Sequence, residues 1–295
     1  MKILLFILLL FLMSCATKQP INEGRDVSLS IIEYPDGEIY PEIDTFKLRI
    51  KITNQAKNDI QGILCVSDSL SDNFGGISSH ECQDVYLEKG ELIDEKIIPR
   101  SQDFLFPEAK RATYSYIAPN KDISEYISLT TTFQYEIESI SSTTICVSNP
   151  YLDDPYCNNK EIINNIKRDN TPLIVSKIEK STNTLSENEI KLNLKFYLEL
   201  EENGYLLSKN SLFSQEKTSY PEIEFRAILN ENEELTCTSL ENNIFKFKED
   251  QNIIQCSIIL PIKQDFIQLK LDTYLGYGFM LRTEPIQIKL KKEEY

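Results

Sequence analysis

The cysteines and the single histidine are the side chains of this sequence best suited to chemistry. Seven cysteines are present, and six of them form three couples that are close in sequence and separated by long gaps. The couples are Cys65 with Cys82, Cys146 with Cys157, and Cys237 with Cys256. Thiols serve as nucleophiles, metal ligands or disulfide partners, depending strongly on the compartment in which a protein resides.

The seventh cysteine, Cys15, follows a segment typical of exported proteins. Lys2 precedes an unbroken apolar run over residues 3–13, about half the length that a membrane-spanning helix needs. The sequence Leu12-Met13-Ser14-Cys15 resembles the lipobox of prokaryotic lipoproteins, although methionine is a less usual residue at its middle place. The resemblance implies cleavage after residue 14 and acylation of Cys15. We therefore expect a lipid-anchored protein on the extracytoplasmic face of a cell membrane, or of an outer membrane, with ordinary secretion as the alternative.

Export decides how the other six cysteines are interpreted. An exported chain meets an oxidising compartment, where an even number of cysteines predicts disulfide bonds. Several connectivities are open, and we favour the three couples close in sequence because no bond then crosses a domain boundary. The competing interpretation is a metal site made by Cys65, His80 and Cys82. Only His80 and Cys82 approach the ligand spacing of zinc sites, so we predict neither a metal nor another cofactor.

No constellation of catalytic residues stands out. A Ser–His–Asp triad would have to use His80, which lies in a predicted disulfide-spanned loop, and there is no Gly-x-Ser-x-Gly motif. Gly75-Gly76 is not followed by the Gly-Lys-Ser/Thr of a phosphate-binding loop. A glycosidase needs only two placed carboxylates, and 46 acidic residues leave that possibility open. The chain is predicted not to be an enzyme.

Two acidic segments have the oxygen ligands that calcium prefers. One contains Asp68, Asp72 and Asn73, and the other contains Asn149 and Asp153-Asp154. Neither matches the calcium-loop pattern, so solvated acidic turns are the preferred interpretation. Another candidate is aromatic: Tyr274, Tyr277 and Phe279 surround two glycines that are typical of a turn. Core packing is one explanation of these rings, and an exposed partner-binding loop is the other.

The charge balance limits the partners. The chain has 31 basic and 46 acidic residues, which give a net charge of −15. Phosphate backbones repel such a chain, so we expect no binding to nucleic acid. The expected partners are the lipid bilayer, through acylated Cys15, and an envelope or surface protein.

Period-two alternation of apolar and polar residues predicts an all-β protein. Residues 46–52 alternate cleanly, and similar runs recur along the chain between turn signals. We predict a signal peptide over 1–14, a lipidated tether over 15–24, and β-sandwich domains over 25–158 and 171–291. The intervening 159–170 is predicted to be a linker that could include a short helix around 161–167.

Three passages resemble uncharacterised archaeal surface lipoproteins of the nanoarchaeal and woesearchaeal groups, which have tandem immunoglobulin-like domains. They are residues 132–137 leading into 144–147, residues 171–179, and residues 254–257 with 269–277. The resemblance implies two immunoglobulin-like β-sandwiches outside the cell and brings no catalytic residues. The chain departs from the antibody pattern because it lacks tryptophan and its cysteine spacings are short.

Three functional hypotheses follow. The leading one is a membrane-anchored, non-catalytic interaction or structural module of the cell envelope. The alternative is a ligand- or glycan-binding lipoprotein that delivers a small molecule to envelope machinery, which requires a concave pocket of several hundred Å³. The third is an envelope hydrolase, which requires two carboxylates facing one cleft at roughly 5–10 Å.

Overall fold

The computed structural model describes residues 22–23, 27–35, 37–70, 74–78, 81–94, 96–115, 126–149, 151, 157–201, 204–209, 211, 220–248 and 252–291. Within these ranges the regular elements are β-strands and there is no α-helix, which confirms the all-β prediction. Accordingly, no helix of the described segments has the length and apolar character to cross a bilayer. The predicted signal peptide 1–14, Cys15 and His80 lie outside the described residues.

The strands of the first half are β1 (Asn22–Glu23), β2 (Val27–Glu33), β3 (Glu38–Ile39), β4 (Leu48–Asn54), β5 (Ile60–Asp68), β6 (Glu81–Leu87), β7 (Glu91–Ile93), β8 (Lys96–Ile98), β9 (Arg100–Phe106) and β10 (Tyr126–Ser148). Those of the second half are β11 (Lys160–Ile163), β12 (Lys167–Arg168), β13 (Leu173–Ser186), β14 (Glu189–Leu200), β15 (Tyr205–Leu207), β16 (Glu222–Leu229), β17 (Glu233–Glu234), β18 (Thr236–Cys237), β19 (Ile244–Lys246), β20 (Ile253–Pro261), β21 (Phe266–Arg282) and β22 (Ile286–Leu290).

The two longest strands, β10 and β21, form the centre of the largest sheet. They pair antiparallel from Thr132↔Arg282 to Ser148↔Phe266 without a register shift. β16 pairs with β21, while β5 and β22 pair with the amino-terminal part of β10. The sheet continues outward to β3, β6 and β17. Because β10 and β21 are so long, this sheet extends across the whole described structure.

Two smaller sheets cover one face of the long sheet. Their strand orders are β1-β2-β4-β9 and β11-β13-β14-β20-β18. The buried residues Phe133 and Tyr135 near one end of β10, and Ile145 and Val147 near the other, all have odd numbers and therefore lie on the same face. Apolar side chains of all three sheets belong to one hydrophobic cluster. The result is two β-sandwiches side by side that share a sheet.

The predicted division into domains 25–158 and 171–291 does not match the strand pairing. β10 lies in the first range and β21 in the second, yet they pair over their length. β22 also lies in the second range, and it pairs with β10 and, in parallel, with β3. The chain crosses between the sandwiches in β10 and returns in β21. The reason is that alternation continues unbroken through both strands, which keeps one face of each buried across the junction.

The predicted linker 159–170 contains two strands. β11 pairs with the edge of β13, and β12 pairs with β10. The short helix considered around 161–167 is therefore wrong. A helix of that length is marginal on its own, whereas an extended chain here completes the hydrogen bonding of two sheets.

Candidate functional site

Three disulfide bonds join the couples predicted from the sequence, namely Cys65–Cys82, Cys146–Cys157 and Cys237–Cys256. The first and third link residues directly opposite each other on paired strands, and the second ties β10 to the segment before β11. Their sulfurs are bonded to one another, so these cysteines are neither nucleophiles nor zinc ligands. Such bonds persist in oxidising compartments, and three of them indicate an extracytoplasmic location.

The predicted aromatic loop is not a loop. The segment Gly276-Tyr277-Gly278 lies inside β21 and pairs with β10, and both Tyr277 and Phe279 are fully buried. The hydroxyl of Tyr277 accepts a 3.0 Å hydrogen bond from the N–H of Leu173, in the sheet that packs over it. Tyr274 alone is exposed, at 37%. The partner-binding loop is therefore wrong, because the glycines continue a paired strand instead of turning the chain.

The predicted calcium segments are held by ordinary hydrogen bonds in the part that the structure describes. The carboxylate of Asp68 accepts hydrogen bonds from two backbone N–H groups and from the buried hydroxyl of Tyr114. The side-chain oxygen of Asn149 accepts one from the N–H of Tyr151. The described residues contain no group of three His, Cys, Asp or Glu side chains placed to share a metal. Their other predicted ligands lie outside the described residues: Asp72, Asn73, Asp153 and Asp154.

A groove of about 890 Å³ lies where the two sandwiches meet. Residues 135–140 of β10 line it, together with residues 56–62 on one side and 168–171 on the other. The groove forms because β5 pairs with β10 only as far as Tyr135↔Gly62, and β12 joins the same strand at Ser141↔Arg168. Between these points no described strand pairs with that edge of β10. The sandwiches therefore leave a concave site at their junction.

One ion pair joins the two sides of the groove. The ammonium of Lys57 lies 3.2 Å from a carboxylate oxygen of Asp169. The backbone N–H of Asp169 donates to the carbonyl of Ile140, and its other carboxylate oxygen accepts from the N–H of Ile140, each at 3.3 Å. Asp169 thus substitutes for a strand residue at the edge of β10, which bounds the groove at this end.

The outer face of the long sheet adds a row of two carboxylates to the groove. Glu138 on β10, Gly276 on β21 and Glu224 on β16 are direct neighbours across the three strands. The ammonium of Lys209, which follows β15, lies 2.7 Å from Glu224 and 3.2 Å from Glu138. The pKa of Lys209 is raised, chiefly by its hydrogen bond to Glu224. One lysine therefore joins two carboxylates across the intervening strand β21.

Glycine at position 276 gives this lysine its room. A Cβ there would lie 3.3 Å from both the Lys209 ammonium and a Glu224 oxygen, closer than most Cβ contacts. A Cβ on Gly278 would lie 3.0 Å from the Leu207 side chain, on the segment that carries the lysine. The two glycines thus serve close approach to β21, the common use of glycine inside a strand.

The charges of the groove favour neutral or cationic ligands. Its lining cations are all in ion pairs with carboxylates: Lys57 with Asp169, Arg168 with Glu201, Arg226 with Glu234, and Lys209 with Glu138 and Glu224. More carboxylates than cations line the groove, namely Asp59, Asp84, Glu136, Glu138, Asp169 and Glu224. An anionic ligand would meet this excess of negative charge without gaining a described unpaired cation.

Sequence reasoning did not single out Glu138, Glu224 or Lys209. Alternation places Glu138 and Glu224 on exposed strand faces, and such glutamates are ordinary in an acidic chain. The glycines at 276 and 278 were the available signal, since glycine within a strand pattern marks close approach. That signal became interpretable only with the register of β10, β21 and β16 known.

No protein-family model matches this sequence, and no curated protein matches it. The resemblance to archaeal lipoproteins with tandem immunoglobulin-like domains therefore stays a prediction. The function has to be argued from the groove and from the sequence.

Proposed function

We propose that the protein is an extracytoplasmic, lipid-anchored binding module whose recognition site is the groove at the junction of the sandwiches. The groove is the observation that carries the proposal. Its volume of about 890 Å³ is within the range of ligand sites, and convergent polar groups line it. The three disulfides support the location, and the segment Leu12-Met13-Ser14-Cys15 supports the anchor.

The lining favours ligand binding over a purely structural role. Asn58, Gln61 and Asn170 are exposed amide side chains along the groove, and Tyr274 adds a partly exposed ring. Amides and rings on rigid strands and their adjoining turns are the groups that orient a polar ligand. A spacer between domains needs no such concavity. The alternative of a ligand-binding lipoprotein is thus better supported than that of a scaffold alone.

The carboxylates of Glu138 and Glu224 also bear on the hydrolase hypothesis. Because both contact one ammonium, their contacting oxygens lie within about 6 Å of each other, which suits a glycosidase pair. The lysine, however, occupies the space between them. The Glu138 side chain is also 76% exposed, unlike the apolar surroundings that hold a catalytic acid protonated. These two features support a binding role.

The anchor is tested by the Cys15→Ser variant in intact cells. The wild-type protein is expected in the membrane fraction, and the variant is expected in the soluble fraction or the medium, because the acylated sulfur is lost. A wild-type protein that is soluble, or a variant that fractionates with membrane as before, would reject the anchor.

The groove is tested by filling it. Gln61→Trp places a large ring at an exposed position of the groove on β5, and Gln255→Trp makes the same change at an exposed position of β20 outside the groove lining. Crosslinking in intact cells should yield envelope components that the Gln61→Trp variant loses and the Gln255→Trp variant retains. Identical crosslinks in both variants would reject the groove as the recognition site.

A further inference from the structure

We propose that Glu138 and Glu224 form a binding site for the ammonium group of a small aliphatic diamine, and that Lys209 is an internal occupant which this ligand displaces. The inference rests on the function proposed above, because it names the class of ligand that the groove accepts. It is carried by the position of Lys209, by the two strands that hold the carboxylates, and by the adjoining groove.

The carboxylates are held at fixed positions that match one ammonium. Glu138 and Glu224 are on β10 and β16, and β21 between them sets their separation through continuous pairing. Gly276 lies between the two carboxylates and leaves the space above the strand to the ammonium. An ammonium has three N–H donors, and the two carboxylates accept two of them at 2.7 and 3.2 Å.

Lys209 is bound chiefly through the tip of its side chain. It lies on the segment between β15 and β16, and its backbone N–H donates a 3.3 Å hydrogen bond to Glu222. Its side chain is 27% exposed, so solvent reaches the contact. Exchange of this ammonium for that of a ligand leaves both carboxylates neutralised. The released lysine also regains rotamer freedom, which favours the exchange.

The adjoining groove accommodates the rest of a diamine. Ile137 and Ile140 line it as apolar surface, and the exposed carboxylate of Asp84 lines it on β6. An aliphatic chain with an ammonium at each end matches apolar surface between acidic groups. The Lys57–Asp169 ion pair joins the two sides of the groove, which suits a small molecule better than a continuous segment of a partner protein.

The competing explanation is a structural ion pair, and the two make opposite predictions for Lys209→Met. If the lysine only stabilises the fold, its removal creates no affinity for amines. If the lysine occupies a ligand site, its removal leaves two carboxylates facing one empty position, and diamines bind more tightly. The test therefore measures a gain of binding, which a merely destabilised variant does not produce.

The experiment is calorimetric titration of 1,4-diaminobutane into the full mature protein in detergent. Lys209→Met should bind it at least tenfold more tightly than the wild type, and Lys209→Met/Glu224→Gln should lose that gain. Lys270→Met is the matched control, since Lys270 is paired with Asp272 on the same face at 2.9 Å outside the groove lining. It should bind as the wild type does. Butane-1,4-diol, which has no ammonium, should not bind.

A measurement on the wild type avoids any effect of substitution on folding. The NMR signals of the Lys209 side-chain terminus should move toward those of a free lysine as 1,4-diaminobutane is added, while those of Lys270 stay in place. Equal affinity of the wild type and Lys209→Met, or a Lys209 signal that does not respond, would overturn the diamine site.

The two proposals can fail separately. If Gln61→Trp abolishes the envelope crosslinks while no variant binds 1,4-diaminobutane, the groove stands and the diamine is rejected. If Lys209→Met gains affinity while Gln61→Trp keeps every crosslink, the ammonium site stands and the groove is rejected as the site of envelope recognition.

Discussion

The hydroxyl of Tyr114 donates a 2.7 Å hydrogen bond to the carboxylate of Asp68, and both side chains are buried. Asp68 ends β5, while Tyr114 follows β9 and forms an isolated bridge with Gly75. Burial and the neighbouring carboxylate raise the pKa of the tyrosine, so the hydroxyl remains a donor at physiological pH. Gly76, with a φ of 82°, adjoins this pair, and a Cβ there would clash with the ring of Tyr114.

Tyr114→Phe should destabilise the protein by about 1.5–3 kcal/mol, because it leaves a buried carboxylate with one donor fewer. Tyr86→Phe is the matched control, since Tyr86 is 59% exposed and its hydroxyl donates to Asp59 at 2.9 Å. That variant should change the free energy of unfolding by no more than about 0.5 kcal/mol. Urea denaturation measures both, and equal losses would show that burial of the Asp68–Tyr114 bond adds nothing.

Gly62→Ala should destabilise the protein by about 1–3 kcal/mol through overpacking. A Cβ at position 62 would clash with the backbone carbonyl of Gln134 on the paired strand β10, and a backbone atom cannot turn aside. Gly276→Ala is the comparison, because its closest contacts at 3.3 Å are side-chain atoms of Lys209 and Glu224 that can shift. We expect a clearly smaller loss for Gly276→Ala in the urea midpoint. The reverse order would contradict the register of β5 on β10.

Asp59 should make the stability fall in acid. Its pKa is lowered, first by the hydrogen bond from the backbone N–H of Lys89 and then by that from the hydroxyl of Tyr86. A carboxyl whose pKa is lower in the folded state stabilises the fold above its unfolded pKa, which is near 4 for aspartate. That contribution is lost as the pH falls through the folded pKa.

Asp59→Asn should therefore be less stable than the wild type at about pH 6, and the difference should narrow toward about pH 3. Unfolding free energies across this range measure the effect. Asp84→Asn on the neighbouring strand β6 is the control for loss of an exposed carboxylate. A difference between wild type and Asp59→Asn that stays constant with pH would contradict the assignment.

Local pattern was sufficient for the strands and the disulfides. The strand predicted over 222–229 is observed as β16 with the same bounds, because alternation of apolar residues fixes both extension and the buried face. The disulfides were predictable because their partners lie only 11 to 19 residues apart. Short separations place two cysteines on adjacent strands or on one loop, whichever sheet they join.

Only the tertiary structure decided which strands became neighbours. Alternation gives the face on which a side chain lies, but it does not say which strand pairs with which, and Glu138 pairs with Gly276 far along the chain. For the same reason the segment Gly276-Tyr277-Gly278 was interpreted as a turn, although its hydrogen bonds are made to distant strands. The sequence thus determined an extended, disulfide-linked chain with one buried face per strand. The shared sheet, the groove and the position of Lys209 followed from long-range pairing, whose partners no local pattern specifies.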